Sequence, residues 1–511
     1  MPDRNNRQYR TPQACIFFCM KEVFIMNRKA LSLLLACLMA ASALTGCAES
    51  PAETDPAQTQ APGVSADTTP AETEAPETGV SDDLPAKNFD GQEFSILTTT
   101  WYNAKTYIYA DEMNGEVVND ALFNQRAAIT DRFNVEILCT AEDDYGVVGT
   151  TVHNLVISGD DTYDIVYNHD NQTMSNALQG DFCNLREFEL LNFDKPWWQG
   201  ASQVFTIQNK LFATANPLAL SGIYMNCTIS MNKDLAGNLQ IEVPYEKVRN
   251  GEWYLDDLQT MAEAAMRDLD GDGDLDAADQ WGFLTSDYGW IHLQSDMGAG
   301  ILNKDAEGKV FFVNDIEKLV SVMEKFDKLS EFTQTCPGTD YNVAMFSEGR
   351  GLFMLSENRN LYETMRDSDV AYGILPCPKF NEMQENYASS GFDIYWGVIL
   401  TSAANEELIS YCVEALSCKN YNDVVPEVWE TVLGSKLSDA PDDRAMFEII
   451  RDIQYVDLGF AFQGAIGGIN QLVFLKTNAT ADTTSSLIAK SGKAIKKNIE
   501  KFNKTFAEMG E

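Results

Sequence analysis

The feature that most constrains this chain is a change of pattern at Phe89. The forty residues before it (48–87) are dominated by Pro, Ala, Thr and Glu and have almost nothing to bury. Such a segment cannot offset the entropy of ordering itself, so it is expected to be an extended, disordered tether. From Phe89 onward, short β-type runs alternate with amphipathic helical stretches. Glu93–Leu97 reads as a strand, followed by a turn at Thr98–Tyr102. Val117–Phe133 reads as a helix with Val118, Leu122, Ala128, Ile129 and Phe133 on one stripe, Val135–Leu138 as a strand, and Tyr163–Tyr167 as another. Strands alternating with helices predict open α/β sheets, whose ligands sit beyond the carboxyl ends of the strands. At 511 residues the chain exceeds one simple core, and two domains of about 200 residues each are expected.

Ahead of the tether, Arg28 and Lys29 precede an apolar run, Ala30–Ala43, too short for a comfortable permanent membrane span. Leu44-Thr45-Gly46-Cys47 follows. Small residues before a cleavage point admit the extended chain to a peptidase, and the cysteine thiol just after it can take a diacylglycerol. This stretch resembles the lipobox of bacterial lipoproteins at all four positions. It implies a signal peptide over 26–46, lipidation of Cys47, and a tether over 47–87 at the outer face of the cytoplasmic membrane. A flexible coil of that length spans on the order of 35 Å and a polyproline-like one roughly 120 Å. Residues 1–25 carry no second signal and read as an over-extended start, Met26 being the better one.

The formal charge of −40 argues against nucleic acid and anionic membrane surfaces as partners, because both are themselves negative, and it suits a protein that must stay dispersed at a cell surface. Seven cysteines remain after Cys47 (Cys139, Cys183, Cys227, Cys336, Cys377, Cys412, Cys418), with no CxxC pair, and are expected to be buried free thiols. Three histidines, with no Gly-x-Ser-x-Gly elbow and no HExxH helix, offer little to a hydrolase, and no enzyme is expected.

Several fragments occur in a telling order. The first strand and helix lead to Arg132-Phe133-Asn134-Val135, then Tyr163–Val166 and Gly180-Asp181-Phe182 with Leu185. Met231-Asn232-Lys233-Asp234-Leu235 and Gly251-Glu252-Trp253 with Leu255–Leu258 come next. Phe346–Phe353 and Tyr372–Lys379 complete the series. Together, over about residues 88–420, they resemble extracellular solute-binding proteins of the sugar-uptake, maltose-binding-like type. Tyr254 departs from the Thr common there. The resemblance implies an α/β, two-lobed periplasmic-binding-protein-like fold (type II), with lobe 1 at 88–225 and 374–415 and lobe 2 at 226–373 and 416–511. The chain would cross near Leu218–Thr228 and again near Ala371–Pro378, and hinge closing would trap the ligand. It further implies a monomer that delivers a solute to ABC permease subunits. A surface glycan-binding or sensor lipoprotein without its own permease, and less so a secreted hydrolase, stay open as alternatives.

Sugar rings present apolar C–H faces to aromatic side chains, while amides and carboxylates bond the hydroxyls, so aromatics beside polar residues at strand ends are the ligand candidates. They are Trp101 and Tyr102; Asn168, His169 and Asp170; Tyr288 and Trp290; Glu357 and Asn358; and Asp393 and Trp396. A mono- or oligosaccharide is the expected ligand. Trp197, Trp198, Trp253 and Trp429 are assigned to packing.

The sharpest local motif spans 268–279. Asp268, Asp270, Asp272, Gly273, Asp274, Asp276 and Asp279 fit D-x-[DN]-x-[DN]-G-x5-E with Asp in the last place. Hard Ca²⁺ takes six to eight oxygens, and Gly273 permits the turn that lets the carboxylates converge. A structural Ca²⁺, stapling a loop, is the expected cofactor.

Overall fold

The structure, a computed structural model, describes residues 79–509 except 215–217, 314–315, 337–338, 366–367, 392–393, 435–440 and 468–483. The export segment, Cys47, most of the tether, and Asp393 therefore lie outside the described residues. No helix among the described residues is long and apolar enough to cross a membrane.

The strands are β1 (Gln92–Thr99), β2 (Val135–Glu142), β3 (Ile165–His169), β4 (Cys227–Asn232), β5 (Trp281–Ser286), β6 (Leu302–Lys304), β7 (Val310–Phe312), β8 (Thr333–Cys336), β9 (Gly351–Glu357), β10 (Tyr372–Leu375), β11 (Ser389–Gly391), β12 (Tyr395–Val398) and β13 (Gln454–Val456). They build two main sheets, in the orders β12-β3-β1-β2 and β10-β4-β9-β5-β8. In the first, β1 runs parallel to β2 and β3, and β12 returns antiparallel to β3. In the second, β5 is parallel to β8 and β9, while β4 runs antiparallel to β9 and β10. Helices follow the strands, so each sheet with its helices is a lobe. β3, β4 and β5 are buried along their whole length, as strands covered on both faces should be.

The first crossing lies before β4, in the expected region. The second does not. β10 pairs with β4 in the second sheet, Ile374 opposite Ser230, and the chain returns to the first sheet only between Gly391 and Tyr395. The lobe boundary expected at 373/374 therefore cuts through a strand. The boundary expected at 415/416 also falls inside an element. The helix Glu406–Lys419 continues through a π turn, Asn420–Val424, into Val425–Gly434, and all three pack on helix Val117–Phe133 of the first lobe. Nothing at 416 breaks a helix, since neither Gly nor Pro stands there.

Residues 79–87, expected to be tether, lie along the first lobe because they find partners. Arg132 donates to Asp82 at 2.5 and 3.0 Å, Lys195 to Asp83 at 2.5 Å, and Lys87 to Glu407 at 2.6 Å. The seven expected thiols are free, five of them buried.

One buried carboxylate organises the lower part of the first lobe. Glu414 is fully buried and accepts from the indole N–H of Trp197 at 3.2 Å, that of Trp198 at 2.7 Å, and the backbone N–H of Asn192 at 3.3 Å. Burial pushes its carboxyl up to about 7, against those three donors. A folded-state value above the ordinary 4.5 means that the protonated form favours folding. This group's contribution is complete below about 4.5 and is lost as pH rises through about 7. Glu414→Ala leaves two buried indole N–H groups unpaired and is expected to cost about 2–5 kcal/mol. It should also flatten the dependence of stability on pH between about 5 and 7. Urea midpoints at pH 5 and pH 7.5 test both.

Candidate functional site

The carboxyl ends of β1 and β3 and the start of β12 meet at one edge of the first sheet. β1 ends in buried Thr99, whose hydroxyl accepts from the N–H of Trp101 at 3.1 Å and turns the chain out of the sheet. Tyr102 (φ 46°, ψ 39°) and Asn103 (φ 58°, ψ 27°) then occupy the left-handed region in succession. Such strain costs about 1–2 kcal/mol per non-glycine residue and gathers at functional sites. The turn is held by Asn103 N–H to Thr100 O at 3.0 Å, by Thr106 Oγ1 to Asn103 O at 2.8 Å, and by Tyr395 Oη donating to Trp101 O at 2.5 Å. The result presents Trp101 and Tyr102 40% and 42% exposed.

A cluster of rings backs them. Trp101 lies 5.3 Å from Tyr102 and 5.7 Å from Tyr145, both edge-on. Tyr145 stacks on His169 at 4.6 Å, and His169 meets Tyr395 edge-on at 6.0 Å. Offset and edge-to-face pairs of this kind contribute about 0.5–1.5 kcal/mol each beyond burial. His169 is buried, with Nδ1 3.2 Å from the N–H of Asn171 and 2.9 Å from Asp170 Oδ1. Asn168 accepts from His169 N–H at 2.9 Å and donates to Tyr145 O at 3.1 Å. These three residues, Asn168, His169 and Asp170, are inside the structure and position the rings from beneath.

The second sheet presents its own edge. Ser286, at the end of β5, caps helix Asp287–Asp296 by accepting from Gly289 N–H at 3.2 Å. Tyr288 there is 45% exposed, its ring 6.3 Å from Phe460. β9 ends at Glu357, which accepts from Asn360 Nδ2 at 2.9 Å. Helix Asn358–Glu363 then reaches the first lobe. The Arg359 guanidinium lies 4.7 Å over the Tyr102 ring, and Tyr107 Oη donates to Glu363 at 3.1 Å. Tyr107, Tyr224 and Tyr362 stack in succession at 5.0 and 5.7 Å. The strand-end residues of the two lobes thus face each other, with Arg359 against Tyr102.

Trp101, Tyr102 and Glu357 belong to these two facing edges, and Tyr288 stands exposed at the end of β5. Three other candidates do different work. Asn358 bonds the first crossing segment, with its N–H on Asn226 O at 2.8 Å and its amide on Ile223 O at 3.1 Å. Trp290 is buried, its indole donating to Thr335 at 3.0 Å and its ring packed on Phe326. Trp396 is buried against Phe205 at 4.0 Å, because strand alternation points it away from the face that Tyr395 shares with His169. Arg359 belongs to the polar run Glu357-Asn358-Arg359-Asn360 that the sequence marks at the end of β9, whereas Tyr145 was missed as a candidate. Tyr145 follows the acidic pair after β2, the same aromatic-beside-polar signal at the same sheet edge.

The aspartate loop precedes β5. One carboxylate oxygen from each of Asp268, Asp270 and Asp279 lies within 4.8 Å of the others. Gly273 holds φ +90°, and Asp268 accepts from the N–H groups of Gly271 and Gly273 at 2.6 and 3.0 Å. Asp279 is buried and accepts from Leu269 and Asp276 at 2.8 Å each. Asp272, Asp274 and Asp276 stand outside that group of three. Asp272 and Asp276 each accept from a backbone N–H two residues on, at 2.8 and 2.7 Å. The N–H of Asp272 pulls the Asp270 carboxyl down, yet desolvation and the charges of Asp272, Asp279 and Asp268 hold it above its ordinary value. Converging oxygens of this kind fit a hard divalent cation.

The fold is the two-lobed type II fold that is also seen in solute-binding proteins of ABC importers. Solved structures with it include the galacto-N-biose-/lacto-N-biose I-binding protein of Bifidobacterium longum in complex with lacto-N-biose. It is 10% identical at a TM-score of 0.56, over 81% of this chain and 99% of that one. The maltose/maltodextrin-binding domain MalE of Bdellovibrio bacteriovorus bound to maltotriose is 13% identical at 0.52, over 80% and 100%. The GacH receptor of Streptomyces glaucescens, solved unliganded and with acarbose, is 13% identical at 0.52, over 80% and 99%. These are structures of binding proteins. No family model matches the chain, and no curated protein matches it in sequence.

Tyr102→Gly should leave stability within about 1 kcal/mol of the parent chain, because relief of left-handed strain offsets the lost ring–guanidinium contact. Tyr102→Val, β-branched in the same conformation, should lose more than about 2 kcal/mol. Urea denaturation separates the two.

Proposed function

We propose that this chain captures a mono- or oligosaccharide between its lobes and delivers it to ABC permease subunits. A diacylglycerol on Cys47 would hold it, as a monomer, at the outer face of the cytoplasmic membrane. The observation that carries the reading is the half-exposed Trp101–Tyr102 pair, presented by a strained turn and facing the second lobe. Rings fixed in this way offer flat apolar area with little left to order on binding, which is what the C–H face of a sugar needs. The sugar complexes among the similar folds support the same ligand class.

Lobes closing over the ligand exclude water and strengthen each polar contact made to its hydroxyls. Arg359 from the second lobe lies over the Tyr102 ring, with Glu357 just before it in the chain at the end of β9. A thermal-shift screen of the purified chain against mono- and oligosaccharides should raise the melting temperature with at least one of them. Trp101→Ala or Tyr102→Gly should weaken that ligand by about tenfold or more, about 1.4 kcal/mol. Strong shifts with amino acids or peptides alone would overturn the carbohydrate reading.

We also propose Ca²⁺ at the 268–279 loop as a staple of that loop rather than a part of capture. Support comes from the motif and from the convergence of Asp268, Asp270 and Asp279. Calcium should raise the melting temperature and a chelator should lower it, with Asp279→Ala abolishing the difference. Saccharide affinity at saturating calcium should be the same in the Asp279→Ala chain. A calcorimetric titration without heat, together with an unmoved melting temperature, would remove the site.

A further inference from the structure

A second connection joins the lobes, distinct from the crossing segments. It lies where the β6–β7 hairpin of the second lobe and the carboxyl-terminal helix Thr484–Glu508 meet residues 201–212 of the first. Helix Ala201–Phe205, like any helix, ends with carbonyls that have no partner within the helix. Lys304, at the end of β6, supplies the missing donor from the other lobe. Its ammonium bonds Gln203 O at 2.6 Å, Val204 O at 2.7 Å and Thr206 O at 3.0 Å. A cation is favoured at a helix carboxyl end, and charge-assisted bonds are the strong ones.

The reciprocal arrangement stands beside it. Lys210, in the first lobe, donates to Phe506 O at 2.9 Å, Ala507 O at 3.0 Å and Met509 O, and so caps the long terminal helix. That helix packs along β7 and helix Ile316–Leu329 of the second lobe. Asn503 fixes it there, donating to Val310 O at 2.7 Å and accepting from Val310 N–H at 3.0 Å. From the first lobe, Gln208 reaches Asn503 O at 2.8 Å, and its N–H meets Gly308 O in the hairpin turn at 3.2 Å. Gly308 holds φ +77°, and a Cβ there would come within 2.8 Å of Gln208 N, so only glycine allows this approach. Phe506 packs edge-on to Phe212 at 5.5 Å.

Two lobes that rotate about their crossing segments would pull Lys304 and Lys210 off six carbonyls at once. We infer that Lys304, Lys210 and Gly308 form a latch that holds the lobes in the present relation and must release before the cleft opens. The latch rests on the contacts above alone. Only its consequence for affinity rests on the capture reading above.

The test measures the distance between spin labels on unnatural residues at Ile157 in the first lobe and Met383 in the second, 71% and 83% exposed. The full chain is used without ligand, as the parent and as Lys304→Met, Lys210→Met and Gly308→Ala. The parent should give one narrow distance. Each variant should add a second, longer population at unchanged far-ultraviolet circular dichroism, and Lys304→Arg should restore the single distance. Variants that superpose on the parent overturn the latch, whether or not their melting temperatures fall, and so does a parent already spread over the longer distances. If the added population appears but no saccharide suppresses it, the latch stands and the capture reading is what fails.

Discussion

Everything that faces across this molecule depends on how two crossing segments lie against each other. Asn226, entering β4, pairs with Gly391, leaving β11. Ser221 accepts from Tyr395 N–H at 3.0 Å, and Ser389 Oγ donates to Cys227 O at 2.9 Å. A Cβ at Gly391 would fall 2.9 Å from the Ile394 side-chain end and 3.0 Å from that of Asn226, so the two segments lie close together there. Asn358 adds a third member by bonding Asn226 from the end of β9. The two connections are therefore tied into one band. Because β4 starts and β12 starts at the strand-end edges of their sheets, the band brings those edges together. The tyrosine stack of Tyr107, Tyr224 and Tyr362 packs one ring from each lobe on one from the band.

What keeps the band attached to the second lobe is a buried polar cluster under β11. Asp296, at the end of its helix, accepts from Ser390 N–H at 2.8 Å, while His292 Nδ1 lies 3.0 Å from the Ser390 hydroxyl. Burial pushes the Asp296 carboxyl up to about 7, although Cys377 and Ser390 pull it down. A nearly neutral acid can sit there without an ion partner, where a full charge would have to be paired. β11 is held to the second lobe until Gly391, and the chain can turn toward the first sheet only beyond it.

This is also why the second crossing was not legible in the sequence. Tyr372–Leu375 is a short buried run that would suit either sheet, and its partner, β4, lies some 140 residues earlier. Periodicity reports burial and says nothing about which neighbour buries it. Local pattern did better where the structure is local. The helix Val117–Phe133 has the predicted ends, with Asn134 at φ 50° stopping it; β1 extends the predicted strand at both ends, and β3 lies two residues further along than predicted. At the candidate site, position was readable and orientation was not. Tyr395 and Trp396 are adjacent on β12, yet one ring meets His169 and the other goes to the core, as the two-residue period of a strand demands. The signal that selected Trp101 and Tyr102 applied equally to Tyr145 and was not extended to it. Arg359 could be placed only once β9 and β1 were known to end at facing edges.

The lobes are joined by two kinds of contact that respond differently to a guest. Arg359 over Tyr102 is a cation–π contact of about 0.5–1 kcal/mol at a partly exposed ring, and on the proposed reading a sugar face laid on Tyr102 would replace it with comparable apolar contact. Displacing the guanidinium costs the guest little and frees a fork of donors beside it. The lysine-capped helix ends are different, because no ligand at the strand edges can supply three carbonyls to an ammonium elsewhere. If the latch holds as proposed, entry would wait on the fraction of chains in which it is released, and apparent affinity would scale with that fraction. On the capture and latch readings proposed above, rings at the strand edges would set how well a guest is held, while Lys304 and Lys210 would set how often the cleft is available.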